Sequence, residues 1–401
     1  MLSKEANEKL TLVGPGTPMG NLLRRYWHPV AASVEVPPET AIGVKLLGEN
    51  LALFRSEQGT LGLVTERCPH RGASLAFGIP EVGGIRCPYH GWIFDEQGKC
   101  LEQPAEPPTS TFCQRIRIPA YPVQELGGLV WAYMGPSPVP LLPHFDLFAR
   151  EDLDRSIGIT RIPCNWLQIM ENSLDPVHRE YLHGRYSNYI MKQQGRKLAP
   201  PEPHHEKLAF DVFKHGIIKR RLVEGQSEDA DDWKVGHPML WPNILSVGNE
   251  RSPSFQIRVP LDDVTTLHFW YLAKPRKPGS PPQNSVPTTD VPYKDKEGNF
   301  ILDTISGQDM MVWITQGDIS NRTTERLGSS DKGIILYRSL LLEHIDMVDR
   351  GEDPPGIIRN PEENTLIEIP REKDARYVAG NFMETHGEGV VFAKQTGLEV
   401  K

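Results

Sequence analysis

Between residues 26 and 140 short apolar runs alternate with Gly and Pro. Residues 44–47, 51–54, 61–65 and 129–133 are β-prone and bounded by turn formers. Many short runs of this kind predict a small β-rich domain. Residues 1–25 read as a helical or irregular lead-in, interrupted by Pro15, Gly16 and Pro18. Pro136, Pro138, Pro140 and Pro143 predict a linker. Beyond it the periodicity changes. Residues 166–174 repeat apolar positions at helical spacing, 254–259 and 266–272 read as strands, and 310–314 and 334–347 as helices. The pattern predicts an α+β protein with a β-rich domain over 26–140 and a mixed domain over 141–401. Residues 274–299 carry six prolines and read as a long, mobile, irregular loop.

Charge and cysteine usage narrow the function. A net charge of −8 disfavours a nucleic-acid partner. No apolar run of about 18 residues is present, so no membrane span is expected. The first ten residues are charged and lack a secretory h-region. The cysteines, Cys68, Cys87, Cys100, Cys113 and Cys164, are an odd and sparse set. They argue against a disulfide scaffold, fit a cytoplasmic location, and leave thiolates available for metal.

Two stretches carry metal-ligand chemistry. The first is Cys68-Pro-His70, sixteen intervening residues, and Cys87-Pro-Tyr-His90-Gly-Trp. Each Cys/His pair sits beside Pro and Gly, hence on a tight loop, and two such loops make a clamp. Coordination chemistry alone allows one tetrahedral zinc or a [2Fe–2S] cluster with two His on one iron. The local sequences, Cys-Pro-His-Arg-Gly at 68–72 and Cys-Pro-Tyr-His-Gly-Trp at 87–92, resemble the two loops of the Rieske family. The resemblance implies that Cys68 and Cys87 hold the buried iron, and His70 and His90 the one nearer the surface. Cys100, Cys113 and Cys164 match no motif position. A Rieske domain alone only moves electrons, so the remainder of the chain needs another task.

The second stretch is Asn172-Ser-Leu-Asp175-Pro-Val-His178-Arg-Glu-Tyr-Leu-His183-Gly184. Two His and a carboxylate can make the facial triad of Fe(II) oxygenases. Five residues of α-helix turn about 140°, so His178 and His183 would not share a face. A π-type distortion, or a helix end at Gly184, would bring them together. Taken alone, two His in one helix are more often structural.

Asp-x-x-His-x-x-x-x-His downstream of a Rieske motif resembles the Rieske non-haem iron ring-hydroxylating oxygenases, terminal oxygenase alpha subunit. Residues 316–322 and 325–333 resemble the phthalate dioxygenase-like group, which has one kind of oxygenase subunit. The likeness runs over roughly residues 25–345 and implies a Rieske [2Fe–2S] domain followed by a helix-grip catalytic domain with an antiparallel sheet and helices. It implies that His178, His183 and the distant Asp309 bind mononuclear Fe(II). Asp303 and Asp318 are weaker candidates, and the plain alternative for Asp309 is a helix N-terminal acid. It also implies that Asp175 is not a ligand but bridges His178 and His90 of a neighbouring subunit. Asn172, one turn earlier, is either site-shaping or surface.

The implied activity is oxidation of an aromatic, carboxylated substrate with O₂ and NADH-derived electrons relayed by a separate flavin and iron–sulfur reductase. Cis-dihydroxylation is the expected outcome, with monooxygenation or O-/N-demethylation as the near rival. Readings from other classes are an electron-transfer Rieske protein and a zinc-stabilised binding protein. A homotrimer, or stacked trimers, is implied by an electron path between subunits. A carboxylated substrate needs a cation, and His204, His205, Lys207, Lys219, Arg220, Arg221 and Arg258 are available. Trp166, Met170, Trp241 and Trp270 could line an apolar pocket or simply fill the core. Sequence assigns none of these to the site.

Overall fold

Ser3 Oγ accepts the Ala6 N–H at 3.1 Å and opens α1 (Lys4–Thr11). Thr17 Oγ1 accepts the Gly20 N–H at 3.1 Å and opens α2 (Pro18–Leu23), with Pro18 in its first turn. Leu10, Val13, Met19, Leu22 and Leu23 are fully buried, so the lead-in is a packed helical pair. The computed structural model describes residues 1–373.

The β-rich domain comprises β1 (Trp27–Ala32), β2 (Thr40–Leu46), β3 (Glu49–Arg55), β4 (Leu61–Thr65), β5 (Ile79–Glu81), β6 (Gly84–Arg86), β7 (Ile93–Phe94), β8 (Cys100–Glu102), β9 (Ala120–Tyr121), β10 (Val123–Leu126) and β11 (Leu129–Tyr133). They form three antiparallel sheets, β2-β3-β4-β9, β5-β6-β7-β8 and β1-β11-β10. The continuous apolar runs of β3 and β4 reflect burial on both faces. Leu51, Leu53 and Leu63 enter the main core, while Ala52, Phe54 and Val64 enter a smaller core with Cys68, Cys87, Trp92 and Cys100.

The β2–β3 turn, Leu47-Gly48, has φ of 49° and 82°, as a two-residue type I′ hairpin requires. Its N–H groups donate outward, Leu47 to Pro260 O (3.1 Å) and Gly48 to Leu261 O (2.8 Å). The hairpin is thereby pinned to the second half of the chain. The proline stretch expected as a linker is packed as well. Trp27 Nε1–H donates to Pro140 O at 3.0 Å, and Leu142 is buried.

The second half runs α3 (Asp146–Ala149), β12 (Leu153–Ile162), α4 (Trp166–Ser173), a π-helical segment (Arg179–Tyr186), α5 (Ser187–Gln193), β13 (His205–Phe213), β14 (Gly216–Val223), α6 (Asp231–Lys234), β15 (His237–Leu240), β16 (Ile244–Val247), β17 (Ser254–Asp262), β18 (Thr265–Pro275), β19 (Thr288–Asp290), α7 (Ile305–Thr315) and α8 (Lys332–Asp349). Its eight strands are ordered β13-β14-β15-β16-β17-β18-β12-β19, antiparallel except for the β12–β19 pair. The irregular loop expected over 274–299 is therefore partly ordered. β12 has a free edge there, and Thr288–Asp290 pairs with it in parallel. Gln283 also exchanges two 2.8 Å hydrogen bonds with the Arg155 backbone.

Cross-strand register divides the sheet into two faces. On one face Ile244, Phe255, Ile257, Phe269 and Tyr271 pack into the core. The alternate positions, including Lys219, His237, Leu245, Gln256 and Trp270, line a cavity. Above it α4 is buried almost all round. Its Glu171 is clamped inside the protein by Arg322, at 2.8 Å to each carboxylate oxygen, and by Arg338 at 2.6 Å. Part of the 316–333 segment thus supplies a buried counter-charge to α4. Among the described residues no helix is long and apolar enough to cross a membrane.

Candidate metal centres

The two Cys/His loops fold alike. Cys68 N–H donates to Ala73 O (2.9 Å) and Gly72 N–H to Cys68 O (2.9 Å); Cys87 N–H donates to Trp92 O (2.8 Å) and Gly91 N–H to Cys87 O (3.0 Å). Gly72 and Gly91 have φ of 74° and 73°, which L side chains rarely adopt. An Arg precedes each Cys, and each reaches across its own loop. Arg67 Nη1 donates to Gly72 O (3.2 Å) and Arg86 Nη1 to Gly91 O (2.8 Å). Both arginines escaped the sequence reading, although the repeated Arg-Cys-Pro at 67–69 and 86–88 was the signal for them.

Both cysteines are buried, whereas His70 is exposed and His90 half-buried. The imidazoles lie 4.4 Å apart, and His70 stacks on Trp92 at 4.8 Å. Burial pushes the Cys68 thiol up to about 11, the His70 backbone N–H pulls it down, and the neighbouring Cys87 adds to the rise. A coordinating thiol is deprotonated by the metal itself. Among the described residues, groups of three ligand atoms within 4.8 Å of one another are His178/His183/Asp309 and Asp232/His237/Glu372; the Cys/His quartet forms no such group. Tetrahedral zinc needs its ligand atoms about 3.3–3.8 Å apart. A paired but spread quartet suits two irons, with the thiolates on one and the imidazoles on the other.

The second centre rests on the π-helical segment. Its i→i+5 bonding places residues five apart nearly above one another, which resolves the helical mismatch between His178 and His183. Their rings are 5.2 Å apart. Asp309, one turn inside α7, completes the group, with Oδ1 3.1 Å from His183 Nε2 and 3.9 Å from His178 Nε2. That oxygen is buried and makes no hydrogen bond of good geometry, as expected of an atom shaped to meet a cation. Burial alone would raise the Asp309 carboxyl; His183, His178 and Arg258 outweigh it and hold it low.

The far nitrogens are anchored. His178 Nδ1 donates to the Asp175 backbone carbonyl at 2.5 Å, with the Asp175 carboxylate 3.6 Å away. His183 Nδ1 donates to Gln308 Oε1 at 3.0 Å. Gln308 is held in turn by Leu302 O (2.8 Å) and by Ser187. Both Nε2 lone pairs therefore face Asp309, and two imidazoles plus one carboxylate fit the facial donor set of non-haem iron. Asp175 stays ionised below the usual carboxylate range; burial opposes this, and His178 overrides it.

The chain matches the Rieske [2Fe-2S] domain model over residues 26–122 and a "LigXa C-terminal domain like" model over 293–384. It is 44% identical over 375 residues to the 5,5'-dehydrodivanillate O-demethylase oxygenase subunit of Sphingobium sp. (strain NBRC 103272 / SYK-6), covering 92% of this chain and 87% of the relative. It is 31% identical to the phthalate 4,5-dioxygenase oxygenase subunit of Pseudomonas putida, covering 89% of each. This chain is a Rieske non-haem iron oxygenase. The oxygenase shares its fold with Pseudomonas putida CBB5 NdmA, at TM-score 0.62 and 20% identity, over 90% of this chain and 99% of that one.

His178, His183 and Asp309 open onto a cavity of about 220 Å³ in the oxygenase. Sheet order sorts its walls. Lys219 and Arg221 on β14 and His237 on β15 make one end basic, while Leu245, Val247, Trp270 and Leu272 on β16–β18 make the other apolar. Of the residues the sequence left unassigned, Lys219, Arg221 and Trp270 line this cavity, as does Asn172. His204 and His205 instead pair with Glu180, Lys207 with Glu228, and Arg220 with Asp211. Trp166, Met170 and Trp241 are core residues, and Asp303 faces Arg196. Cys100 and Cys113 pack beneath the Rieske loops, and Cys164 packs beside Met310 and Trp313.

Proposed function

We propose that this oxygenase removes the methyl group of a methoxylated aromatic acid. The observation carrying the reading is the 44% identity, over nearly the whole chain, to a subunit named as an O-demethylase oxygenase. The half-basic, half-apolar cavity beside the His/His/Asp group supports it. The balance is ArOCH₃ + O₂ + 2 e⁻ + 2 H⁺ → ArOH + HCHO + H₂O: one methyl C–H becomes C–OH, and the hemiacetal so formed releases formaldehyde. Ring cis-dihydroxylation is the second reading, favoured by the phthalate 4,5-dioxygenase relative.

In this proposal Cys68, His70, Cys87 and His90 hold the [2Fe–2S] cluster, and His178, His183 and Asp309 hold mononuclear iron. When bound, the cluster supplies single electrons and the iron activates O₂. Gln308 fixes the His183 tautomer, and Asp175 fixes that of His178. The apolar strands β16–β18 keep water from the ring and methyl group, and the basic end orients the acid. Asp175 would also meet His90 of a neighbouring copy, closing a head-to-tail trimer. NADH electrons would arrive through a separate flavin and iron–sulfur reductase. The free state of all five cysteines supports a reducing, cytoplasmic setting.

Turnover of methoxybenzoates with a surrogate reductase under ¹⁸O₂ tests the reading. One equivalent of formaldehyde per phenol is expected. A ring cis-diol carrying two labelled oxygens, with no formaldehyde, would overturn it.

A further inference from the structure

Most charges around the cavity have a partner of opposite sign. Arg221 Nε donates to Asp232 at 2.7 Å, and His237 Nε2 lies 2.9 Å from Asp232 and 2.8 Å from Glu372. Both side chains are thus engaged by the two buried acids behind them. Lys219 differs. It neighbours His237 across the β14–β15 ladder, so it shares the cavity face, and it is only 7% exposed. Among the described residues no carboxylate lies within 4 Å of its Nζ. Its hydrogen bond goes to the backbone carbonyl of Ser173, at 2.8 Å. An ammonium has three N–H donors, and leaving a buried one without an anion is costly. Arg258, packed on the Ser173 hydroxyl at 2.7 Å and on Gln256 at 2.6 Å, is a second buried cation without an acid partner. Lys219 is thus a buried amine without a carboxylate in contact, and it lines the cavity shared with His178, His183 and Asp309.

We propose that Lys219 Nζ is the specificity-determining anchor for the carboxylate of the aromatic substrate, placing the ring against β16–β18 with its reacting group toward the His/His/Asp group. The inference rests on the reading of this cavity as the oxygenase's substrate site. The ordinary role for Lys219, supporting the C-terminal end of α4 through Ser173 O, occupies one donor and leaves the others for the ligand.

The charge state of Lys219 supplies a second signature. Burial drives it down to about 7, with Arg221 on β14 and Arg258 on β17 pushing the same way, while Asp175 after α4 and Asp232 on α6 oppose them. An arriving carboxylate favours the protonated form, so acid binding above pH 7 takes up a proton.

The experiment uses metal-replete oxygenase, with 3- and 4-methoxybenzoate and their methyl esters as probes in titration calorimetry. Lys219→Met is expected to weaken binding of the acids by roughly 10–150-fold while changing the esters less than about twofold. Wild-type protein at pH 8, in buffers of different ionisation enthalpy, is expected to take up a proton with the acids and none with the esters. Equal loss for acid and ester, unchanged acid affinity in the variant, or acid binding by wild type without proton uptake would each overturn the proposal. The wild-type measurement stands even if the variant fails to fold. Product identity separates the two readings. A cis-diol from a bound acid sinks demethylation and leaves the anchor, whereas formaldehyde from a Lys219→Met protein of undiminished acid affinity sinks the anchor and leaves demethylation.

Discussion

Gln308 Oε1 accepts the Nδ1–H of His183 at 3.0 Å, so the residue directly before the carboxylate candidate Asp309 orients one of the imidazoles that Asp309 faces. One turn of α7 thus carries both a ligand candidate and the group that aims another. Partners of this kind typically change metal affinity by about 10–100-fold. Gln308→Leu is expected to lower mononuclear iron affinity by that factor while leaving the visible spectrum of the cluster intact. Iron retained after dialysis against a weak chelator is the measurement, and wild-type retention would contradict the assignment.

Cys68→Ser should remove the red-brown absorption and the acid-labile sulfide. Iron at the His178/His183/Asp309 centre should survive, because the two groups sit on separate elements. Loss of both irons together would show that the centres are not independent.

Glu171→Gln removes the one acid between Arg322 and Arg338. Breaking a buried pair of this kind costs about 3–5 kcal/mol, so a large fall in melting temperature is expected. Burial would raise the Glu171 carboxyl, but the two arginines hold it low. A depressed carboxyl contributes stability that is present above its unfolded pKa and lost as pH falls through the folded one. Wild type should therefore lose stability on acidification more steeply than the variant. Parallel pH profiles would count against this role.

Lys219→Met is expected to raise stability at neutral pH. The folded pKa of Lys219 lies near 7 against an ordinary 10.5, so between these values the unfolded chain binds more protons and stability rises with pH. The penalty is complete below about pH 7 and gone above about 10.5. Its removal should contribute on the order of 4 kcal/mol at neutral pH, less about 1 kcal/mol for the lost bond to Ser173. Thermal melts from pH 6 to 10 check this. The gap between variant and wild type should narrow as pH rises, and a constant gap would refute it.

The ligand loops were legible in the sequence because a Rieske loop is local. Its Cys, Pro, His and Gly lie within five or six residues, and the Gly72 and Gly91 backbones require glycine whatever surrounds them. The strands at 51–54 and 61–65 were legible too, although only the fold explained their unbroken apolar runs, since each is buried against two cores. The packed linker and the strand at Thr288–Asp290 were not legible. Their order comes from partners supplied elsewhere, Ile358 for residue 141 and β12 for β19.

By itself the sequence determined the chemistry on offer: two Cys, four His and an acid in motifs that specify their own backbone. Tertiary structure decided which atoms meet. His183 and Gln308 are 125 residues apart, and Lys219 reaches Ser173 across 46. Whether a lysine stands beside an acid or faces a cavity depends on how the strands of the sheet are ordered, and no local pattern of residues encodes that.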